Sequence, residues 1–189
     1  MIPAMSRIAI FGWELCAGRC GLGSTGSTAS GPKNGPTLKL EFSRISSSRG
    51  GALMLAIDPL HGDPNRVAFA LSRRPNLDAA IADLRDREGT TLANIGFLAP
   101  ASCRHRSRYC ATIDSVRPWA VQENLDAVIW TDLPSNFTNQ TGTDFSVRAA
   151  IGYLERPEPG AKELAFTYTV APQRSSRRRC EPRSPFPIE

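Results

Sequence analysis

The stretch Asn76-Leu-Asp-Ala-Ala-Ile-Ala-Asp-Leu-Arg-Asp-Arg-Glu-Gly89 decides the fold class. Asn76 has the side chain of an N-cap, Asp78 sits in the first turn, and Gly89 supplies a C-terminal stop. Leu77, Ala80, Ile81 and Leu84 recur at three- and four-residue spacing, which predicts a helix over 77–87 with one apolar face. The flanks carry a different period. Upstream, residues 7–11 read as a short buried strand, and Leu38, Leu40 and Phe42 alternate with Lys39, Glu41 and Ser43 as a half-buried one. Residues 52–57 are apolar throughout, with a hairpin turn expected at 46–51, and a further strand over 67–71 follows the turn at His61-Gly62-Asp63-Pro64. Between the first two strands, 14–36 is rich in Gly, Ser, Thr and Pro and predicts a long loop.

Downstream, 95–98 and 127–131 read as strands. A second helix is expected over about 116–124, capped by Asp114 or Ser115, with Pro118 in its first turn. A third is expected over roughly 144–155, with Val147, Ala150, Ile151 and Leu154 on one face, while 164–170 fits strand or helix. Strands and short helices mix without a regular βαβ repeat. That pattern predicts an α+β domain built on a small mixed or antiparallel β-barrel with flanking helices.

The chain has 189 residues and a mass of 20.5 kDa, enough for one domain, expected over 6–172. Hydrophobic residues at 41% and charged residues at 22% are compatible with a buried core. No window approaches the roughly 18 consecutive apolar residues of a membrane span. Residues 1–11 lack a small-residue cleavage site behind an apolar run, so a cytoplasmic protein is expected, with no membrane partner. Of the net +5, five arginines against two glutamates in 173–189 supply +3, so the remaining body carries +2. Such a body lacks a nucleic-acid footprint, and Arg177-Arg178-Arg179 has no aromatic residue interleaved, so 173–189 reads as a basic disordered tail.

Five cysteines are an odd and scattered number, unlike a disulfide framework. Cys16-x3-Cys20 and Cys103-x6-Cys110, with His105 between the second pair, match zinc-ligand spacing only loosely. Reduced thiols and no metal or cofactor are expected. Gly21-x-Gly23-x-x-Gly26 has the form of a dinucleotide-binding loop, yet the prolines and absent period of 27–36 leave no helix to hold a pyrophosphate. Asn136-Phe-Thr138 and Asn139-Gln-Thr141 are glycosylation sequons only if the chain is secreted, and otherwise a polar loop. His61 and His105 are far apart, with no obvious nucleophile beside either.

Glu88 lies four residues after Leu84 and seven after Ile81, so it continues the helix's apolar stripe. A carboxylate desolvated there would suit proton transfer near neutral pH. The spacing equally allows the helix to end at Arg87, with Glu88 in solvent.

The chain resembles the gamma-glutamylcyclotransferase-like family. The first strand ending Ile10-Phe11-Gly12-Trp13 is similar to that family's first strand and Tyr-Gly-Ser loop, and Lys39-Leu40-Glu41-Phe42 to its second strand. Asn76-Leu77 through Arg87-Glu88-Gly89 looks like the helix that delivers its catalytic glutamate. Ala127-Val128-Ile129-Trp130-Thr131 and Ile151-Gly152-Tyr153-Leu154 fit its closing strand and following helix. The resemblance covers roughly 6–172. It implies a barrel with a cavity, no cofactor, and cyclisation of a small-molecule γ-glutamyl substrate to 5-oxoproline with release of an amine. Glu88 would carry the proton, and Phe11, Gly12 and Trp13 would lie at the substrate-binding loop. A non-catalytic barrel that binds a small anionic ligand or a partner protein is the alternative.

The loop itself departs from the family pattern. Glu14-Leu15-Cys16 stands where Gly-Ser and an apolar residue are expected, and Glu14 would repel an anionic substrate. Segments 14–36 and 173–189 share Cys, Arg, Ser and Gly without periodicity, and a shifted reading frame across both would account for that composition and for the missing serine.

Overall fold

In the computed structural model, residues 6–12 and 33–155 are described. They form four α-helices and one mixed sheet of seven strands: β1 (Ile8–Gly12), β2 (Lys33–Ser46), β3 (Ala52–Ile57), β4 (Asp63–Leu71), β5 (Ile95–Ala99), β6 (Arg104–Arg106) and β7 (Ala127–Thr131). The spatial order is β3-β2-β4-β1-β7-β5-β6. Every neighbouring pair is antiparallel except β1 and β7, which run parallel with Ile8 opposite Ala127 and Ile10 opposite Ile129. These two strands are continuous apolar runs, as a position covered on both faces requires.

The helix α1 (Leu77–Glu88) starts where Asn76 Oδ1 accepts the Ala79 N–H at 2.9 Å and ends at Gly89, whose φ of 58° suits glycine. Its Ala80, Ile81 and Leu84 pack with Ile8, Ile10, Ile95 and Ile129 on one face of the sheet. On the other face, α2 (Cys110–Gln122) packs Ile113, Val116 and Ala120 with Phe11, Leu40, Phe69 and Trp130. Alternation along β1 divides Ile8 and Ile10 from Ala9 and Phe11 between these layers. The short α3 (Phe137–Thr141) and α4 (Val147–Leu154) cover the β2–β3 hairpin through Phe137 and Ala150 against Ile45 and Leu53.

The α+β class and mixed sheet agree with the expectation, but the sheet is not closed into a barrel. Beyond β7 comes Asp132-Leu-Pro-Ser-Asn136, and Pro134 has no N–H to donate to a ladder. β2 breaks register between Glu41 and Arg44 and meets this segment through side chains. The Ile45 N–H donates to Asn136 Oδ1 at 2.7 Å, and Asn136 Nδ2 donates to the Ile45 carbonyl at 3.0 Å. Ser135 Oγ and the Asn136 N–H both donate to the Ser43 carbonyl, at 2.8 and 3.2 Å.

Several element boundaries differ from the sequence reading. β2 begins at Lys33, inside the stretch expected as loop. Gly35 permits this, because a Cβ there would stand 3.0 Å from the Val67 carbonyl oxygen. α2 begins six residues earlier than expected and takes Pro118 into its interior, since Thr112 and Ile113 are buried with Val116 and Ala120. β6 and α3 were not foreseen, and the last helix starts at Val147, with Ser146 Oγ capping the Ala149 N–H at 3.1 Å. The segment 164–170 and the tail 173–189 lie outside the described residues. Among the described residues, no helix is long and apolar enough to cross a membrane.

Candidate functional site

Polar side chains gather where β1 and β7 end side by side. The first group comes from the turn after β3. Asp58 is 4% exposed; its Oδ1 accepts the N–H groups of Leu60 and His61 at 3.1 Å each, and its Oδ2 lies 3.3 Å from His61 Nδ1. The Asp58 N–H donates to the Lys39 carbonyl at 3.0 Å, and the Gly62 N–H closes the turn on the Asp58 carbonyl at 2.8 Å. Position 62 needs glycine, because a Cβ there would sit 2.6 Å from the Asp58 carbonyl oxygen and 2.8 Å from the Leu40 nitrogen. Burial pushes the Asp58 pKa up. The His61 backbone N–H, the nearby Ser43 hydroxyl and the His61 ring outweigh that and hold it below the usual carboxylate value. Ser43 is fully buried, and its hydroxyl, though close to Asp58, lacks the geometry of a hydrogen bond.

The second group follows β7. Asp132 is 2% exposed and accepts the Trp130 indole N–H at 3.3 Å and the Arg108 backbone N–H at 2.6 Å. Arg108 is fixed further, with Nε donating to the Asp132 carbonyl at 2.7 Å and Nη2 to Asn94 Oδ1 at 2.6 Å. Tyr109 joins the two groups. Burial first, then the charges of Asp58 and Asp132, raise its pKa, against an opposing pull from Arg108. Arg44, in the bulged part of β2, donates from Nη1 to the Pro134 carbonyl at 2.8 Å. Burial and then the nearby Arg108 guanidinium lower its pKa. No carboxylate among the described residues pairs with Arg44. Two guanidiniums thus stand within electrostatic reach of each other, one of them half-buried and unneutralised, an arrangement that favours an anion between them.

The residues singled out from sequence have other surroundings where they are described. Glu88 is the last residue of α1; it does not extend the buried stripe, and its side chain is 30% exposed and ion-paired to Arg87 at 3.1 Å. The end of α1 nevertheless reaches the same end of the sheet: Asn94, which holds Arg108 and Asp132, also donates to Thr90 Oγ1 at 3.0 Å. Phe11 is buried against Trp119 and Trp130, with ring centroids 5.4 and 5.9 Å away, and serves the core. Gly12 is half-buried opposite Ala68, and Trp13 lies outside the described residues. Among the described residues, no group of three or more His, Cys, Asp or Glu side chains gathers as a metal site, and Cys103 and Cys110 are free and exposed.

Sequence reasoning passed over Ser43, Arg44, Asp58, Arg108, Tyr109 and Asp132, and treated His61 as a turn residue. One local signal was present. Asp58 directly follows six apolar residues, and His61 comes three later, a spacing at which a carboxylate can hold an imidazole. Against family models, curated proteins and solved structures, the chain finds no match.

Proposed function

We propose that the protein is a gamma-glutamylcyclotransferase-like domain that holds a small γ-glutamyl ligand by its carboxylate at Arg44 and Arg108. The half-buried Arg44 guanidinium, with a second arginine nearby and no carboxylate partner among the described residues, carries this reading. A ligand carboxylate would accept from the Arg44 guanidinium in surroundings where a charge-assisted bond is worth more than at an open surface. Cyclisation of that ligand to 5-oxoproline is favoured by one further observation, the linkage of the α1 terminus to Arg108 through Thr90 and Asn94. The pairing of Glu88 with Arg87 favours binding without turnover.

Calorimetric titration with a γ-glutamyl dipeptide and assay of 5-oxoproline release test the two readings together. Binding by the parent, weakened about tenfold or more in Arg44→Gln, supports the carboxylate site. Release of 5-oxoproline by the parent establishes the enzyme, and its loss in Glu88→Gln would assign the proton transfer to Glu88, whereas binding without release makes the protein a binding module. Absence of binding, or binding indifferent to Arg44, overturns the proposal.

A further inference from the structure

His61 has a ring the turn does not need. The loop over 58–62 is already closed by two backbone N–H groups on Asp58 Oδ1 and by the Gly62 N–H on the Asp58 carbonyl. The imidazole adds only the longer 3.3 Å contact with Oδ2, plus a ring contact with Phe145 at 5.1 Å between centroids. An ionised carboxylate only accepts, so Nδ1 carries the proton that faces it, and in the neutral ring Nε2 then presents a lone pair. The His61 side chain is 36% exposed, against 5% for that of Asp58, so part of the ring reaches solvent while its orienting partner is sealed.

We propose that Asp58 and His61 form a proton-transfer dyad, in which His61 Nε2 takes a proton from an ammonium or hydroxyl group of the bound ligand and Asp58 is the positioning residue. Ser43 lies on the Asp58 side and is fully buried, so it is not placed as a nucleophile on Nε2. Tyr109, which feels the charges of both Asp58 and Arg108, sets the dyad within electrostatic reach of the same residue as the anion site. The ligand's identity here rests on the carboxylate reading above; the dyad itself does not. An α-ammonium whose carboxylate is held at Arg44 would give one proton to Nε2 and become a free amine that attacks the γ-carbonyl carbon. The bond to the departing nitrogen breaks as the imidazolium returns that proton to it, and the second proton shed by the attacking nitrogen on forming the lactam also goes to the departing amine, which leaves as an ammonium. His61 would then fill the role the resemblance assigns to Glu88.

The chain contains two histidines, His61 and His105, which makes a direct test possible. Diethyl pyrocarbonate acylates an unprotonated, accessible imidazole nitrogen, and mass spectrometry of the full chain and of His61→Gln and His105→Gln separates the two rates. His61 is expected to react about threefold or more faster than His105, which is also exposed, and Asp58→Asn to remove that advantage. A His61 rate no greater than that of His105 overturns the dyad. Should Asp58→Asn fail to fold, the ring nitrogen chemical shifts of His61 in the parent decide instead: a proton on Nδ1 with a lone pair on Nε2 supports the dyad, and the reverse tautomer overturns it. A bound γ-glutamyl dipeptide should shield His61 from the reagent; binding without shielding overturns the proton transfer to ligand. Absence of binding overturns only the carboxylate reading, because the reagent rates need no ligand.

Discussion

Gly96 lies directly across the β5–β7 ladder from Trp130, and the indole fills the space in which a side chain at position 96 would stand. The same indole N–H holds Asp132, which in turn holds Arg108. A change in the core at this point therefore reaches the anion site through two side chains.

Gly96→Ala is expected to cost roughly 1–3 kcal/mol, the range for overpacking a filled interior. Urea unfolding measures it. An unchanged midpoint would mean that the indole swings aside freely, contrary to its complete burial.

Asn136 makes the bridge between the chain beyond β7 and β2, offering an acceptor and a donor to the same residue, Ile45. Asn136→Ala should destabilise by roughly 1–3 kcal/mol, because the half-buried Ile45 amide loses its partner. Asn136→Asp keeps the acceptor but sets a carboxylate against the Ile45 carbonyl, so it should recover only part of the loss. Equal stability of parent and alanine variant in denaturant would count against the bridge.

Asp58 governs acid stability. Its folded pKa is depressed, so its contribution is fully present above the ordinary carboxylate value and is lost as pH falls through the folded value. Thermal melts taken downward from neutral pH should show the parent losing stability in the acid range with a component that Asp58→Asn lacks. Parallel curves for the two proteins would remove Asp58 from the account.

Tyr109 acts at the other end of the scale. Its raised pKa means that the folded chain keeps a phenolic proton which the unfolded chain has released, so stability declines as pH rises through the ordinary tyrosine value. Ultraviolet titration should resolve one late tyrosine that disappears in Tyr109→Phe. In Asp58→Asn, that titration should move to lower pH, since one of the charges opposing ionisation is gone.

What could be read from the sequence was what local chemistry determines. In α1, the cap at Asn76, the spacing from Leu77 to Leu84 and the stop at Gly89 all name the same ends. β1 and β7 were plain because both are apolar without interruption. α2 was misjudged because Pro118 reads as a first-turn residue, whereas burial of Thr112 and Ile113 extends the helix toward its N-terminus. The polar cluster was hidden for another reason. Ser43, Asp58, Arg108 and Asp132 belong to four separate stretches, and only the sheet order and the Asn136 bridge bring them together. Glu88 illustrates the converse, since periodicity assigns it a face but cannot weigh its pairing with Arg87.

The parallel pairing of β1 with β7 also bears on how the chain is made. β1 leaves the ribosome well before β7, since Arg7 and Ile8 take their partners at Asp126 and Ala127, 119 positions later. The middle of the sheet therefore waits for the 119 positions between these partners to be translated, and such long-range closure slows folding. During that interval Ile8, Ile10 and Phe11 present an apolar strand with one open side, so a nascent chain stalled before residue 127 would be the species that chaperones meet and that aggregates.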